Sequence, residues 1–392
     1  MRPLTDAALP LAVAAALISA ISPALASDHD FKIVYNFGDD GDGGFPMAGV
    51  IGDGAGNLYG TTFYFNGAST PGAVFKVAPG GSETVLYQFT DGDDGGYPTS
   101  DLAEDEAGNL YGTTLYDGSG GGGVIFEVTP TGTETVIHSF GNDQGPSRQG
   151  VIRDKKGNLY GTAQSNCCGL VYKISKDGSE TVLYSFTGGA DGNGPGDSAR
   201  LLRDKAGNLY GTTVAGGTYG EGVVFKLAPD GTETVLHSFM SGKDGSVPVA
   251  GVVADKAGNL YGTTYMGGSS GCGAGCGTVY KIAPDGTETV LYAFCSLANC
   301  SDGGYPLTNL VLDKVGNLYG TTSIGLYPQG MGAVFKLAAD GTETVLHTFT
   351  GGADGGAPND LYQYTPRAKG YLYGTTQFGG SRGAGTVFRV KK

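Results

Sequence analysis

The sequence has no tryptophan, only four histidines, and 24 Lys plus Arg against 38 Asp plus Glu in 392 residues. With a formal net charge of −14, it lacks the basic surface that nucleic acid or an anionic membrane requires, because those partners are held by Lys and Arg neutralising phosphates. Neutral sugars or cationic ligands suit it better. The scarcity of histidine counts against triad hydrolysis and histidine-based lyase chemistry. Beyond residue 21 no apolar run approaches the roughly 20 residues that a membrane-spanning helix needs. What the chain does have is 73 glycines, 23 tyrosines and 40% apolar residues gathered in short runs. That composition describes a turn-rich folded protein, not a disordered one.

The first residues read as an export signal. Arg2 is followed by an apolar stretch over residues 7–21 and then by Pro23-Ala24-Leu25-Ala26, an A-x-A-type cleavage site. The expected division is a signal peptide over 1–26, a short leader over 27–30 and a single domain over 31–392. The expected location is secreted or periplasmic, an oxidising setting that suits six cysteines.

Three strings recur in fixed order. Gly-Asn-Leu-Tyr-Gly-Thr-Thr, or a close variant, begins at Gly56, Gly108, Gly157, Gly207, Gly258, Gly316 and Gly370. A GxVFKV-like string follows each copy, from Gly72 to Gly385, and ETVLYQF-like strings begin at Glu83, Glu134, Glu180, Glu233, Glu288 and Glu343. The missing seventh copy of the last string stands at the other end of the chain, as Phe31 to Phe37. Each unit of about 50 residues reads as four short strands, a to d, with turn residues between them. In blade 1 these are residues 50–53, 57–62, 73–77 and 83–89. The reading is all-β: a seven-bladed β-propeller with four antiparallel strands per blade, its N-terminal strand closing the last blade. An open array would leave unpaired sheet edges that closure removes. A closed ring also predicts a monomer.

Alternating strand direction puts the short a-to-b and c-to-d turns on one rim and the long, variable b-to-c and d-to-a connections on the other. Variable loops on a uniform scaffold are where binding is expected. At the first position of the innermost strand the blades read Gly49, Asp101, Gly150, Arg200, Gly251 and Asn309, with Asp360 or Gln363 in the seventh. Asp101, Arg200, Asn309 and Asp360 are therefore expected to converge at the channel mouth. Arg148, Glu221 and Arg382 join them from nearby loops, and Tyr116, Tyr219, Tyr265 and Phe378 supply stacking surfaces. The plain alternative is that these are solvated rim residues.

The Asp-led motif that ends in Pro in every d-to-a connection is explained structurally by a capping Asp, a turn Gly and a Pro. Asp39, Asp40 and Asp42, and again Asp91, Asp93 and Asp94, also put several hard oxygen ligands together, so calcium is the ion to consider. Neither run has EF-hand spacing, and no cofactor is required. Cys272, Cys276, Cys295 and Cys300 lie on one rim as local or crossed disulfides, with a zinc site as the alternative, and Cys167 and Cys168 are adjacent. His138, His237 and His347 occupy outer-strand positions held elsewhere by Tyr, and His29 precedes the first strand.

The GNLYGTT, GxVFKxxPxGxETVLYxF and DGGxP strings resemble the Gly-rich tandem repeat of the GloVer (Gloeobacter/Verrucomicrobia-type) family of exported bacterial proteins, over Phe31 to Val390. The resemblance implies a cell-envelope or secreted propeller and brings no activity with it. The Asn-Leu-Tyr hairpin is also similar to NHL-type and streptogramin-lyase propellers, but the catalytic histidine of the latter has no counterpart on this rim. Two functions follow as expectations. One is a non-catalytic binding or scaffold propeller that recognises a glycan or another envelope component. The other is a carbohydrate-active or lactone-hydrolysing enzyme using carboxylates such as Asp101 and Asp360, with or without a metal.

Overall fold

A computed structural model describes residues 30–38, 41–65, 70–146, 150–165, 167–196, 199–268, 272–325, 330–363 and 370–392. They form seven antiparallel sheets, each ordered a, b, c, d from the channel outward. In blade 1 the strands are Ile51–Gly52, Leu58–Thr62, Ala73–Val77 and Glu83–Gln88. No helix among the described residues is long and apolar enough to cross a membrane.

Closure occurs where the displaced string predicts it. Lys32–Asn36 pairs with Thr386–Lys391, placing Tyr35 opposite Val387 and Asn36 opposite Thr386. The outer strand carries a bulge in every blade. Phe75 faces Val85 and Val74 faces Tyr87, so Leu86 is the extra residue, and Val34 takes the same place in the closing strand. This bulge lets the Val-Leu-Tyr run turn apolar side chains to both faces without breaking the ladder.

The blades are held together by one aromatic contact repeated around the ring. The last Phe of each strand d meets the aromatic residue of strand c in the next blade: Phe89 with Phe126 at 5.1 Å between ring centroids, Phe294 with Phe335 at 5.0 Å. Phe37 of the N-terminal segment meets Phe75 at 5.0 Å, and so seals the last blade to the first with the same contact. Such pairs contribute about 0.5–1.5 kcal/mol each beyond the apolar area they bury. The glycine of the GNLYGTT string makes this possible. A Cβ on Gly60 would lie 2.6 Å from the Phe75 ring that crosses it.

The rest of the repeated string builds the a-to-b turn. Asp53 Oδ1 accepts the backbone N–H groups of Ala55, Gly56 and Asn57, and Oδ2 accepts the Asn57 side-chain amide and the Tyr59 hydroxyl. Asp105, Asp154, Asp204, Asp255 and Asp313 repeat the arrangement through the Asn and Tyr of their own turns. Burial pulls the Asp53 pKa upward, but the hydrogen bonds from Asn57 and Tyr59 outweigh it and hold the group below its ordinary value. The Asn and Tyr of the repeat are thus turn clamps, and this face has a structural task.

The innermost strand differs from expectation. In five blades it is split in two, and the first half lies inside the Asp-led motif: in blade 2 Gly96–Pro98 pairs with the far end of strand b, and Ala103–Glu104 with its near end, whereas blades 1 and 5 have a single bridge in place of the first half. Pro is tolerated there because the strand borders the channel and its N–H side carries no further partner strand. Residues 99–102 bridge the two halves, and it is this break that presents the first-position residues to the channel.

Candidate functional site

The channel is narrowed by a ring of side chains at the break in strand a. Asp101 accepts the Gly49 N–H at 2.9 Å, and Asn309 accepts the Gly251 N–H at 2.9 Å, each reaching from one blade to the one before it. The order around the ring is Gly49, Asp101, Gly150, Arg200, Gly251, Asn309, Asp360. Small and large residues alternate because there is no room for two large ones: a Cβ on Gly49 would stand 2.6 Å from the Asp360 carbonyl oxygen. A seven-membered ring cannot alternate completely, and the mismatch falls between blades 6 and 7. There Asn309 donates its backbone N–H and its side-chain amide to Asp360, at 2.8 and 2.7 Å.

Because Gly49 has no side chain, Asp101 of blade 2 and Asp360 of blade 7 meet across blade 1 and hydrogen-bond to each other. Both are buried. Burial, followed by the Asp101 charge, holds the Asp360 carboxyl well above the usual range. Asp101, Arg200, Asn309, Asp360 and Gln363 all line one cavity of about 510 Å³, which follows strand a toward the a-to-b turns. Asp360 also borders a smaller space of about 290 Å³ with Asn359 and Gln377 on the loop side. These residues therefore mark the waist of the channel, deeper than a mouth on the variable rim.

The variable rim holds a second constellation. Five aromatic rings run across blades 1 and 2 in edge-to-face or tilted contact. Phe45 meets Tyr64 at 5.8 Å, Phe63 meets Tyr64 at 4.7 Å and Tyr97 at 5.3 Å, and Tyr97 meets Tyr116 at 5.9 Å. Phe45 and Tyr97, the residues before the motif prolines, have φ of 56° and 58°. Left-handed backbone at an aromatic residue costs on the order of 1–3 kcal/mol and is held only where the surroundings impose it. Its effect here is to turn these rings onto the rim.

Beside Tyr97 and Tyr116 lies a second carboxyl pair. Asp117 hydrogen-bonds Asp91, and burial, this bond and the Asp91 charge together push the Asp117 pKa up to about 6. Both aspartates bear electrostatically on the Tyr97 hydroxyl. Tyr116 is 53% exposed and Tyr219, on blade 4, is 59% exposed. Tyr265 packs on Tyr305 at 5.0 Å across blades 5 and 6. Arg382 contacts Asp42 at 3.4 Å, Glu221 makes a short bridge with Gly216, and the Phe378 ring packs on Gly356. None of Tyr116, Tyr219, Tyr265, Glu221, Arg382 or Phe378 lines the channel cavity. Arg148 lies outside the described residues.

The aspartates considered for calcium are largely committed. Asp94 accepts from the Tyr87 hydroxyl, from Thr90 N–H and Oγ1, and from Gly92 N–H. Asp42 accepts from Tyr35 and Gly38 N–H. Asp93 is exposed, and Asp39 and Asp40 lie outside the described residues, as does His29. The other histidines do outer-strand work: His237 and His347 contact Asp244 and Asp354, and His138 contacts Glu180. All six cysteines are in disulfides, joining 167 to 168, 272 to 276 and 295 to 300. The local pairing, not the crossed one, is therefore the observed one. The sulfurs of Cys272, Cys276, Cys295 and Cys300 lie within 4.8 Å of one another, the only such grouping of metal-ligating side chains among the described residues.

The Gloeobacter/Verrucomicrobia repeat matches residues 18–200 and again 165–388. The chain belongs to that family. No curated protein is similar enough to match. Among solved structures it is similar to an oligogalacturonate lyase in complex with manganese, at 12% identity and a TM-score of 0.60, covering 92% of each chain. It is likewise similar to an oligogalacturonate lyase from Vibrio parahaemolyticus, at 11% identity and a TM-score of 0.56, covering 93% of this chain and 95% of the other. At such identities the likeness concerns the fold alone.

Proposed function

We propose that the protein acts outside the cytoplasm as a non-catalytic binding propeller that recognises a glycan or glycan-bearing envelope component through its variable rim. The observation that carries this reading is the run of rings from Phe45 to Tyr116 with the Asp91 and Asp117 carboxyls beside it. A sugar presents C–H faces that pack on aromatic rings and hydroxyls that hydrogen-bond carboxyl groups, and here both lie on exposed loops of one rim. Three disulfides fix the loops of blades 3, 5 and 6, and such bonds persist in an oxidising location, which supports a site of action outside the cytoplasm.

Geometry weighs against two-carboxylate glycoside hydrolysis. That chemistry uses carboxyls separated by roughly 5–9.5 Å, with the anomeric carbon between them. Asp91 with Asp117, and Asp101 with Asp360, are instead hydrogen-bonded partners, so no sugar ring fits between either pair. The test is a glycan array with the secreted form, followed by titration of the strongest ligand against Tyr97→Ala and Tyr116→Ala. Losing one stacking ring removes about 1.5–3 kcal/mol, a 10- to 100-fold weakening. Unchanged affinity in both variants would place recognition elsewhere. Turnover of the same glycan, suppressed by EDTA or by Asp101→Asn, would make the protein an enzyme.

A further inference from the structure

The ring position in blade 4 departs from the structural pattern of its counterparts. Asp101 and Asn309 fill that position with an acceptor for the glycine N–H of the preceding blade. Arg200 has no acceptor to offer, and the glycine before it, Gly150, takes φ of 68° instead. Among the described residues the Arg200 guanidinium has no hydrogen bond or ion pair, although it lines the 510 Å³ cavity. The inter-blade clasp thus does not account for it.

Two more arginines line the same cavity. Arg153 and Arg203 stand immediately before the turn aspartates of blades 3 and 4. Arg203 lies over the Tyr160 ring at 5.4 Å, and Arg153 lies over Tyr111 at 5.5 Å with a long contact to Asp105 at 3.9 Å. Stacking holds each guanidinium plane in place; Arg203 also hydrogen-bonds the Tyr160 hydroxyl and Arg153 leans toward Asp105, which leaves part of each five-donor edge for a ligand. The corresponding positions of the other blades are Gly52, Glu104, Ala254, Leu312 and Gln363, so the positive charge gathers on one side of the channel. Much of the remaining wall is aliphatic, from Val50, Ile51, Leu201, Val252 and Leu310. In a protein of net charge −14, three arginines facing two aspartates, Asp101 and Asp360, give this cavity a local excess of positive charge. The long-range field of the surface is screened within about 10 Å at ordinary salt, so the nearby guanidinium groups decide what enters.

We infer that the channel cavity binds a small oxyanion of sugar-acid size, with Arg200 as the anchoring charge and Arg153 and Arg203 as supporting cations. A cavity of about 510 Å³ is in the range that accommodates ligands of that size, and a planar guanidinium matches a carboxylate or phosphate in two-point contact. This site is separate from the aromatic rim and does not depend on the rim reading.

The test is isothermal titration of the full chain at low salt with D-galacturonate, inorganic phosphate and D-galactose. At least one anion should bind, and galactose at least 10-fold more weakly. Tighter binding of galacturonate identifies a sugar acid, and tighter binding of phosphate identifies a phosphate ester. Arg200→Gln should weaken the anion at least 10-fold at an unchanged melting temperature, whereas Tyr116→Ala should leave it alone. If Arg200→Gln folds poorly, the double variant Arg153→Gln with Arg203→Gln provides a second measure and should weaken the anion at least threefold. Equal binding of galactose and the anions, no binding of either anion, or full anion affinity in these variants would overturn the assignment.

Discussion

Raising the pH from 5 to 8 should destabilise this propeller. The cause lies at the outer edge of the blade interfaces. Glu83, Glu134, Glu233, Glu288 and Glu343 each begin a strand d, and in each the Oε1 atom is buried without a hydrogen-bond partner in the protein. Each is also raised by the charge of an aspartate from the connection of the preceding blade: Asp42, Asp94, Asp191, Asp244 and Asp302 respectively. Burial first, and then that charge, push the first four to about 7 and Glu343 to about 8, with His237 opposing the shift at Glu288.

A carboxyl raised in the folded state binds its proton more tightly there than in the unfolded chain. Its contribution is therefore fully present below the unfolded value of 4.5 and is lost as pH climbs through 7. A shift of that size is worth about 3 kcal/mol in an enclosed site. These side chains are only half-buried, and solvent screening leaves about 1 kcal/mol each. Five such groups give about 5 kcal/mol between pH 4.5 and 8, or roughly 5–10 °C in melting temperature. On the acid side Asp53, Asp105, Asp154, Asp204, Asp255 and Asp313 are held below their ordinary value, so their contribution is lost as pH falls through that range. Maximum stability should fall near pH 5. The assay is thermal denaturation at constant ionic strength from pH 3 to 9, repeated with the five glutamates changed to Gln. The quintuple variant should flatten the alkaline limb. Wild-type stability that rises from pH 5 to 8, or an alkaline limb unchanged in the variant, would refute the reasoning.

Three further predictions concern the ring itself. Gly49→Ala puts a methyl group 2.6 Å from the Asp360 carbonyl and should cost about 1–3 kcal/mol by chemical denaturation, unlike Gly54→Ala, where the space is open. Removing residues 31–37 exposes strand Thr386–Lys391 as an edge, and size-exclusion chromatography should then show oligomers and aggregate in place of a monomer. Asp255→Ala deletes the acceptor of four hydrogen bonds in one turn and should cost about 2–4 kcal/mol, with Asp255→Asn recovering part of it.

Much of the fold was legible because the sequence repeats itself. Strand c of blade 1 spans Ala73–Val77 as the string suggests, and Phe31 to Phe37 supplies the missing outer strand. One detail of that strand was hidden. Where other blades begin strand d with Glu, it has Phe31, which stacks on His347 at 3.6 Å and replaces the acidic contact at the last interface. The inner half-strand Gly96–Pro98 escaped notice because three residues containing Gly and Pro carry turn chemistry and no periodicity. The first-position series did point to a shared cavity, since breaks in a repeat stand out against it. Asp117 was missed because its partner Asp91 lies in another loop, and nothing local marks the pair. Arg153 and Arg203 carry no local signal either: each simply precedes a turn aspartate, and only the gathering of the innermost strands around the channel puts them in one cavity.

Recognition at the aromatic rim is most directly tested by hydrogen exchange of the protein with and without its strongest array ligand. Slowed exchange confined to the loops carrying Phe63, Tyr97 and Tyr116, with the short-turn face unaffected, is the predicted footprint. Protection that falls on the outer strands or the a-to-b turns, with those loops unchanged, would contradict it.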